Sequence, residues 1–509
     1  MADNAERWVS LPALLNGLSY ISGVTRDALS AIMVKDIIYD SRKAAPDTVF
    51  VCTVGELHDS HRYANQVYLS GCRVFVVEKE LPLPADAVQI RVENGRQALA
   101  KMAHAYFGHP ANKLHIIGVT GTKGKTTIAN LTADVLCRLG IPTGCIGTNG
   151  VSFGGETRLT GYTTPESYEL ARIFDQLSAK GAQCVVMEVS SLGVKQHRTD
   201  GLRFDAGVFT NLSPDHIGPR EHATMEEYIA CKAAMFAQSE YAVINCDDAA
   251  SGQMIAAAKN AGNEVCTFGL HGKADITAWN MASWQSANRL GVGFDSNALG
   301  EAAHFAISQP GEFSVYNALA VLAVCKRVLE KRGEQADAAK IGDALKNAVV
   351  AGRIELFDAL PDATIVIDYA HNELSLTSLL TTLQKYEYKR LVVLFGSVGC
   401  RSQLRRSQLG KTAAKYADFC ILTSDNPDTE DPMQIINEIA AAFAGSDTPY
   451  VCIPDRVEAV AYAVKHHNPG DMIVLAGKGH ENYQLINGVK EPFSEKEVIL
   501  QTVQAMQNV

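Results

Sequence analysis

The 509-residue chain has no C-x-x-C pair, no excess of basic charge and no long apolar run. Each absence excludes something. Its twelve cysteines are scattered, which fits reduced thiols in a cytosolic protein better than a disulfide framework. Its 46 basic residues are outnumbered by 56 acidic ones, a net charge of −10, so the basic face of a nucleic-acid binder is not expected. No apolar run approaches the roughly 20 residues that span a bilayer. The start, "MADNAERWVS", lacks the charged-then-apolar layout of a signal peptide. Membrane insertion is therefore not expected. Repeats and low-complexity tracts are missing too. What remains is a chain 47% hydrophobic and 20% charged, too long for one core and implying about two to four domains.

Short apolar runs alternate with helical patterns. "LHIIGV" (114–119), "CVVMEV" (184–189) and "AGVFTN" (206–211) read as strands. After residue 350 the alternation resumes with "TIVIDYA", "RLVVLFGS", "FCILTS" and "DMIVLAG". Continuous apolar strands separated by helices predict mostly parallel sheets covered on both faces, an α/β architecture. Breaks near "FGHPANK" and "KNAVVAGR" divide it into three α/β domains, 1–110, 111–349 and 350–509. Ligands of such sheets sit at the carboxyl ends of the strands.

"GVTGTKGKTT" (118–127) lies at such an end and opens a helix. Its glycines let the backbone close on phosphate oxygens, the helix start offers free N–H groups, and Lys125 adds a charge. Thr126 could reach magnesium. Gly118 and Gly124 stand one residue too far apart for the general G-x-x-x-x-G-K-[ST] pattern. Glu188, Asn211, Asp215 and His216 follow other strands and bring oxygen and imidazole donors suited to magnesium. Taken singly, Glu188 reads as a structural acceptor, His216 as a loop residue and Lys232, on a helical pattern, as a solvated face. "TSDNPDTEDP" (423–432) carries four acids and no base at the end of "FCIL".

Together these motifs resemble the Mur ligase family. "GTKGKTT" (121–127) matches its phosphate loop, which explains the spacing. "YDSRKAAPDTVFVC", "YTTPES", "MEVSS", "QHR", "FTNLSPDH", "YIACKAAMF", "GEFSVYNALAV", "AGRIELF", "VIDYAHNELSL", "GSVGCRSQLRR" and "AGKGHENYQ" follow in family order. Within the family the chain is most similar to the UDP-N-acetylmuramoyl-tripeptide synthetases. The resemblance implies three domains: a uridine-nucleotide-binding α/β domain, a central P-loop ATPase-like domain and a C-terminal Rossmann-like domain. It implies a cytoplasmic, monomeric ATP-dependent ligase of peptidoglycan synthesis. ATP would phosphorylate the γ-carboxylate of D-Glu in UDP-MurNAc-L-Ala-D-Glu, and the amine of a free amino acid would then attack the acyl phosphate.

The same resemblance assigns residues. Gly121, Thr122, Lys123, Gly124, Lys125, Thr126 and Thr127 would cradle the ATP phosphates, with Asn211, Asn317, Arg353 and Asp368 near the nucleotide. Thr126, Glu188, His216 and Lys232 would serve two magnesium sites, Lys232 as a carbamylated lysine, N6-carboxylysine. Lys125, Glu188, His216 and Lys232 would be catalytic. Ser41, with the "GELH" loop 55–58, would meet the uridine nucleotide, and Thr163, Thr164, Ser191, Gln196 and Arg198 the muramoyl dipeptide. Arg401, Asp425, Asn426, Asp428, Gly477 and Glu481 would meet the amino acid. Leu192, Tyr162 and the longer "DHIGPREH" (215–222) depart from the family pattern and bear on finer contacts to the UDP substrate.

In the family the acidic stretch selects the amino acid. The form for meso-diaminopimelate reads D-N-P-R, its arginine pairing with the far carboxylate. Asp428 stands there instead and would favour a terminal ammonium by about 1–3 kcal/mol, so the expectation is L-lysine. Gly477, Glu481 and Arg401 match diaminopimelate enzymes and keep that substrate, with L-ornithine, as alternatives. A Mur-like ligase of another pathway and a catalytically dead nucleotide-binding scaffold are the rival readings. Retention of Lys125, Glu188, His216 and Lys232 opposes the scaffold.

Overall fold

The computed structural model describes residues 7–55, 58–213, 217–218, 221–286, 289–400 and 403–507. His216 and Arg401, and Glu56 and Leu57 of the "GELH" loop, lie outside the described residues. Contacts divide the chain into two compact units, Met1–Thr277 with Leu319–Asp337, and Ala278–Ala318 with Ala338–Val509. No helix among the described residues is long and apolar enough to cross a membrane.

The first unit holds two main sheets. The N-terminal one orders its strands Ile21–Ser22, Val88–Arg91, Val74–Val77, Thr48–Val51 and Asp36–Ile38, parallel except at the first edge. Thr48–Val51 and Val74–Val77 are buried along their whole length, as expected of strands covered on both faces. The helix Gly95–Tyr106 covers one face through Leu99, Met102 and Tyr106.

The larger sheet places His115–Thr120 between Cys184–Glu188 and Ala206–Phe209, all parallel. In register, Glu188 lies beside Val119 and Phe209 beside Thr120. The carboxyl ends of three strands therefore meet where the helix Lys125–Arg138 begins. Thr143–Gly147 flanks Cys184–Glu188, and Tyr241–Asn245 and Glu264–Gly269 extend the opposite side. The hairpin of Gly150–Phe153 and Glu156–Arg158 closes the near edge antiparallel.

In the second unit, residues 278–286 pair antiparallel with Arg289–Ser296, which pairs antiparallel with Ala303–Ile307. A six-stranded sheet follows, in the order Glu355–Phe357, Thr364–Asp368, Asp471–Ala476, Arg390–Phe395, Phe419–Leu422 and Tyr450–Cys452. Only its Glu355 edge is antiparallel. Leu376, Leu379, Leu409, Ile435 and Ile439 of three helices bury one face. Val460 and Ile499 of the helices Arg456–Lys465 and Glu495–Gln507 bury the other. This is a doubly wound α/β layer, and its loops after Asp368, Leu422 and Ala476 share one edge.

Candidate active site

The phosphate loop is built around backbone no other residue fits. Gly121 has φ 147°, and a Cβ there would collide with the Thr210 hydroxyl. Gly124, at φ 84°, turns the chain into the helix Lys125–Arg138. Asn211 fastens the loop: its Oδ1 accepts from the Lys123 amide at 2.9 Å and its Nδ2 donates to the Lys123 carbonyl at 3.1 Å. Asn211 thus meets the loop, as a brace for its backbone. Lys125 Nζ donates to the Gly121 and Thr122 carbonyls at 2.9 and 3.0 Å.

Glu188 is the hub beside this loop and is 1% exposed. One carboxylate oxygen accepts from the Thr148 amide at 2.8 Å. The other accepts from the Thr126 hydroxyl at 3.0 Å and the Thr148 hydroxyl at 3.3 Å. The backbone carbonyl of Glu188 accepts from Thr164 Oγ1 at 3.0 Å. Thr164 in turn takes the Ser190 amide, and its carbonyl takes Arg198 Nη1 at 2.8 Å. Arg198 Nη2 reaches Gln196 Oε1 at 2.6 Å and Glu166 at 2.8 Å, and its guanidinium lies over Tyr162. Thr163 Oγ1 sits 3.1 Å from Thr148 Oγ1. So Thr126, Glu188, Thr163, Thr164, Gln196 and Arg198, found from separate motifs, form one connected network. Ser191 hydrogen-bonds His222 Nε2 at 2.8 Å. Ser41 opens the single turn Ser41–Lys43 beside the N-terminal sheet.

Lys232 is 1% exposed rather than solvated. Its ammonium donates to the Gly121 carbonyl at 2.8 Å and lies 4.4 Å from the centre of the Tyr228 ring. Tyr228, one turn earlier on the helix Met225–Ala233, reaches Thr122 Oγ1 at 3.1 Å. Tyr228 carries no distinguishing mark in the sequence, although it stands four residues before Lys232 and so shares its helix face.

Magnesium takes hard oxygen donors. The Thr126 hydroxyl and Glu188 carboxylate, buried and converging on the phosphate loop, fit that ion. The Lys232 ammonium is a hydrogen-bond donor and does not; as a carbamate it would.

In the second unit, Asp368 gives both carboxylate oxygens to backbone, accepting from the Ile354 and Ala370 amides at 2.7 Å each. Burial pushes its carboxyl up from the usual range against the opposing charge of Arg353. The pair of amides fixes the turn that carries Arg353, whose guanidinium lies over Tyr369. Asn317 sits almost buried on the helix Glu312–Lys331.

The loop after Phe419–Leu422 answers what its four acids hold. Asp425, 1% exposed, lies 3.8 Å from Lys478 Nζ. Asn426 accepts from Lys478 at 2.8 Å and donates to Glu481 at 3.0 Å, and Lys478 pairs with Glu481 at 2.6 Å. Gly477, at φ 108°, packs its backbone on Asp425 so closely that a Cβ would lie 2.8 Å from Oδ2. That Oδ2 has no hydrogen-bond partner among the described residues. Asp425, Asn426, Gly477 and Glu481 thus converge, and Lys478, unread in "GKGHE", is the cation at their centre. Asp428 does not join them. Its Oδ1 accepts from the Gly488 amide at 2.8 Å, and its backbone pairs with Leu485 and Asn487. Glu430 is gripped by both Nη atoms of buried Arg406 at 2.8 and 2.6 Å. Asp431 caps the helix Pro432–Ala440 by accepting from the Met433 amide at 3.0 Å.

Comparisons with known proteins bear on the family of the chain. Residues 119–325 match the Mur ligase middle domain, and residues 352–479 match the Mur ligase, glutamate ligase domain. Over 92% of its length the chain is 36% identical to the UDP-N-acetylmuramoyl-L-alanyl-D-glutamate–2,6-diaminopimelate ligase of Caldanaerobacter subterraneus subsp. tengcongensis, covering 94% of that protein. The enzyme of the same name from Clostridium perfringens is 34% identical over 96% of this chain and 98% of its own. A solved structure of a UDP-N-acetylmuramoyl-L-alanyl-D-glutamate–2,6-diaminopimelate ligase superposes with a TM-score of 0.69 at 28% identity, covering 96% of this chain and all of that one. The chain belongs to the Mur ligase family, in its UDP-N-acetylmuramoyl-tripeptide synthetase branch, and is an ATP-dependent ligase.

Proposed function

We propose that the protein joins a free diamino acid to the D-Glu γ-carboxylate of UDP-MurNAc-L-Ala-D-Glu, giving ADP, phosphate and the tripeptide nucleotide. The carrying observation is the phosphate loop bonded, through Thr126 and Glu188, to the Thr164–Arg198 network. Groups for ATP phosphates and for an anionic second substrate lie in one hydrogen-bonded frame.

A carboxylate is a poor electrophile and must be activated. Its oxygen attacks the γ-phosphorus of ATP, and ADP leaves. The amino group then attacks the acyl carbon, phosphate departs with the carboxyl oxygen, and the amine loses its proton. Gly121–Thr127 hold the transferred phosphoryl group, and Lys125 meets its charge. Asn211 keeps the loop closed, and Arg198 pairs with the anionic substrate. Magnesium, held by Thr126, Glu188 and His216 and by a Lys232 carbamate, would supply positive charge against the phosphate oxygens. Positioning by this frame, rather than a protein nucleophile, carries the rate. Asn317, Arg353 and Asp368 serve the nucleotide, and Ser41 the uridine end. The division at residues 110 and 350, a cytoplasmic location and a monomeric state belong to the same reading.

For the incoming amino acid the first reading is meso-diaminopimelate, supported by the names of the similar ligases. The second is L-lysine, with L-ornithine beside it, supported by the acid at 428 where that reading needs no carboxylate partner. ADP release with ATP, magnesium and UDP-MurNAc-L-Ala-D-Glu, run in parallel with the three amino acids, decides between them. A folded protein that releases ADP with none of them refutes the tripeptide step.

A further inference from the structure

The two loops that carry Asp425 and Gly477 leave strands that do not touch. Phe419–Leu422 and Asp471–Ala476 are separated in the sheet by Arg390–Phe395. Two interstrand steps amount to about 9–10 Å, and no ladder hydrogen bond spans that gap. Lys478, Asn426 and Glu481 join the loops further out, and one side chain joins them where they leave the strands. Arg456, the first residue of the helix Arg456–Lys465, donates from Nη1 to the Ser424 carbonyl at 2.9 Å. From Nη2 it donates to the Ala476 carbonyl, also at 2.9 Å. Ser424 directly precedes Asp425, and Ala476 directly precedes Gly477.

The guanidinium is itself held. Nε and Nη2 both donate to Glu495 Oε1, at 3.1 and 2.7 Å. The Arg456 side chain is 0% exposed and that of Glu495 3%. Such a pair is expensive: both charges leave water, and apolar residues of similar volume would often stabilise as well or better. Glu495 Oε2 has no hydrogen-bond partner among the described residues, so the pair is not even fully satisfied. Stability alone is a poor reason for it. A planar fork spanning two carbonyls at fixed separation is a good one, and a lysine, a point donor on a flexible stem, cannot copy it.

We propose that Arg456, buttressed by Glu495, is a positioning residue that sets the spacing of the two amino-acid-binding loops. It touches no substrate. It holds Gly477 against Asp425, and so sets the separation of the groups that would receive the incoming amino acid. The inference rests on the reading that these loops receive the amino acid.

The test uses the full-length protein, with Arg456→Lys, Glu495→Gln and, as control, Glu481→Gln. KM is measured for ATP, for UDP-MurNAc-L-Ala-D-Glu and for the amino acid the protein accepts, beside circular dichroism and thermal unfolding. Arg456→Lys is expected to raise the amino-acid KM about tenfold or more, since sub-ångström misplacement is costly. The other two KM values should stay within about twofold. Glu495→Gln moves the amino-acid KM in the same direction by less, and carries the test if Arg456→Lys does not fold. An unchanged amino-acid KM in a folded variant overturns the proposal, as does a parallel rise in all three. If Glu481→Gln raises the amino-acid KM while the Arg456 and Glu495 variants do not, this inference fails alone. If Glu481→Gln also leaves it unchanged, the loops do not receive the amino acid and both readings fall.

Discussion

The carboxylate of Asp428 accepts a hydrogen bond from the Gly488 amide at 2.8 Å, across 60 residues of sequence. Gly488 has φ 76° and Asn487 φ 49°, the two left-handed positions of the tight turn joining Tyr483–Ile486 to Val489–Pro492. The acid expected to choose the amino acid therefore fixes a hairpin. That role needs an acceptor, not a charge. Asp428→Asn keeps the acceptor, so its urea-unfolding midpoint should match the parent. Asp428→Ala removes it and should cost about 1 kcal/mol. The same Asn variant isolates the charge. If Asp428 also selects, the ratio of kcat/KM for L-lysine over meso-diaminopimelate falls several-fold; if the hairpin is its whole task, the ratio holds.

Gly147 ends the strand Thr143–Gly147 beside Glu188, and a Cβ there would collide with the Glu188 carboxylate. Gly147→Ala should thus push Glu188 off the Thr126 and Thr148 hydroxyls. The expected result is a fall in kcat of about a hundredfold, with a stability cost of about 1–3 kcal/mol from overpacking. Measuring kcat and the unfolding midpoint together separates the two effects. A variant that keeps kcat would mean that Glu188 is only a brace.

Tyr228 offers a milder probe of the phosphate loop. Tyr228→Phe removes the hydroxyl at Thr122 and keeps the ring beside the Lys232 ammonium. The KM for ATP should rise about three- to tenfold, the worth of roughly one hydrogen bond, with the KM for the UDP substrate steady. Tyr228→Leu also removes the ring face and should weaken kcat further. Steady-state kinetics at saturating second substrate checks both.

Much of this was legible in the chain because the signals are local. All seven apolar runs read as strands are strands, since a buried parallel strand must be apolar on both faces and says so in four to six residues. The phosphate loop was legible because its glycines and lysine are contiguous. Lys232 was not legible from its own surroundings: a lysine on a helix reads as solvated until the helix is known to pack on the phosphate loop. Asp428, Glu430 and Asp431 were visible as acids, but their partners Gly488, Arg406 and Met433 are set by tertiary structure or by a helix start. Lys478 and Arg456 were missed for a related reason. Their meaning lies in what they join, and Arg456 joins segments from strands that are not even neighbours. The antiparallel ladder of residues 278–307 also escaped, its polar, exposed first strand lacking an apolar run.

His104 carries the last prediction. It is 2% exposed on the helix Gly95–Tyr106, and neither ring nitrogen has a hydrogen-bond partner among the described residues. Burial, with a lesser push from His109, pulls its pKa down to about 4. A free imidazole titrates near 6.5. Between those values the unfolded chain binds a proton that the folded chain refuses, so stability rises with pH across that window. The contribution is fully present above about pH 6.5 and is lost as the pH falls toward 4, up to about 3 kcal/mol for the whole shift. His104→Leu removes the titrating group. Between pH 7.5 and 4.5 the parent should lose more unfolding free energy than the variant, whatever their difference at pH 7.5. Urea titrations at four pH values give the two slopes, and equal slopes would show that His104 takes up its proton without opening the fold.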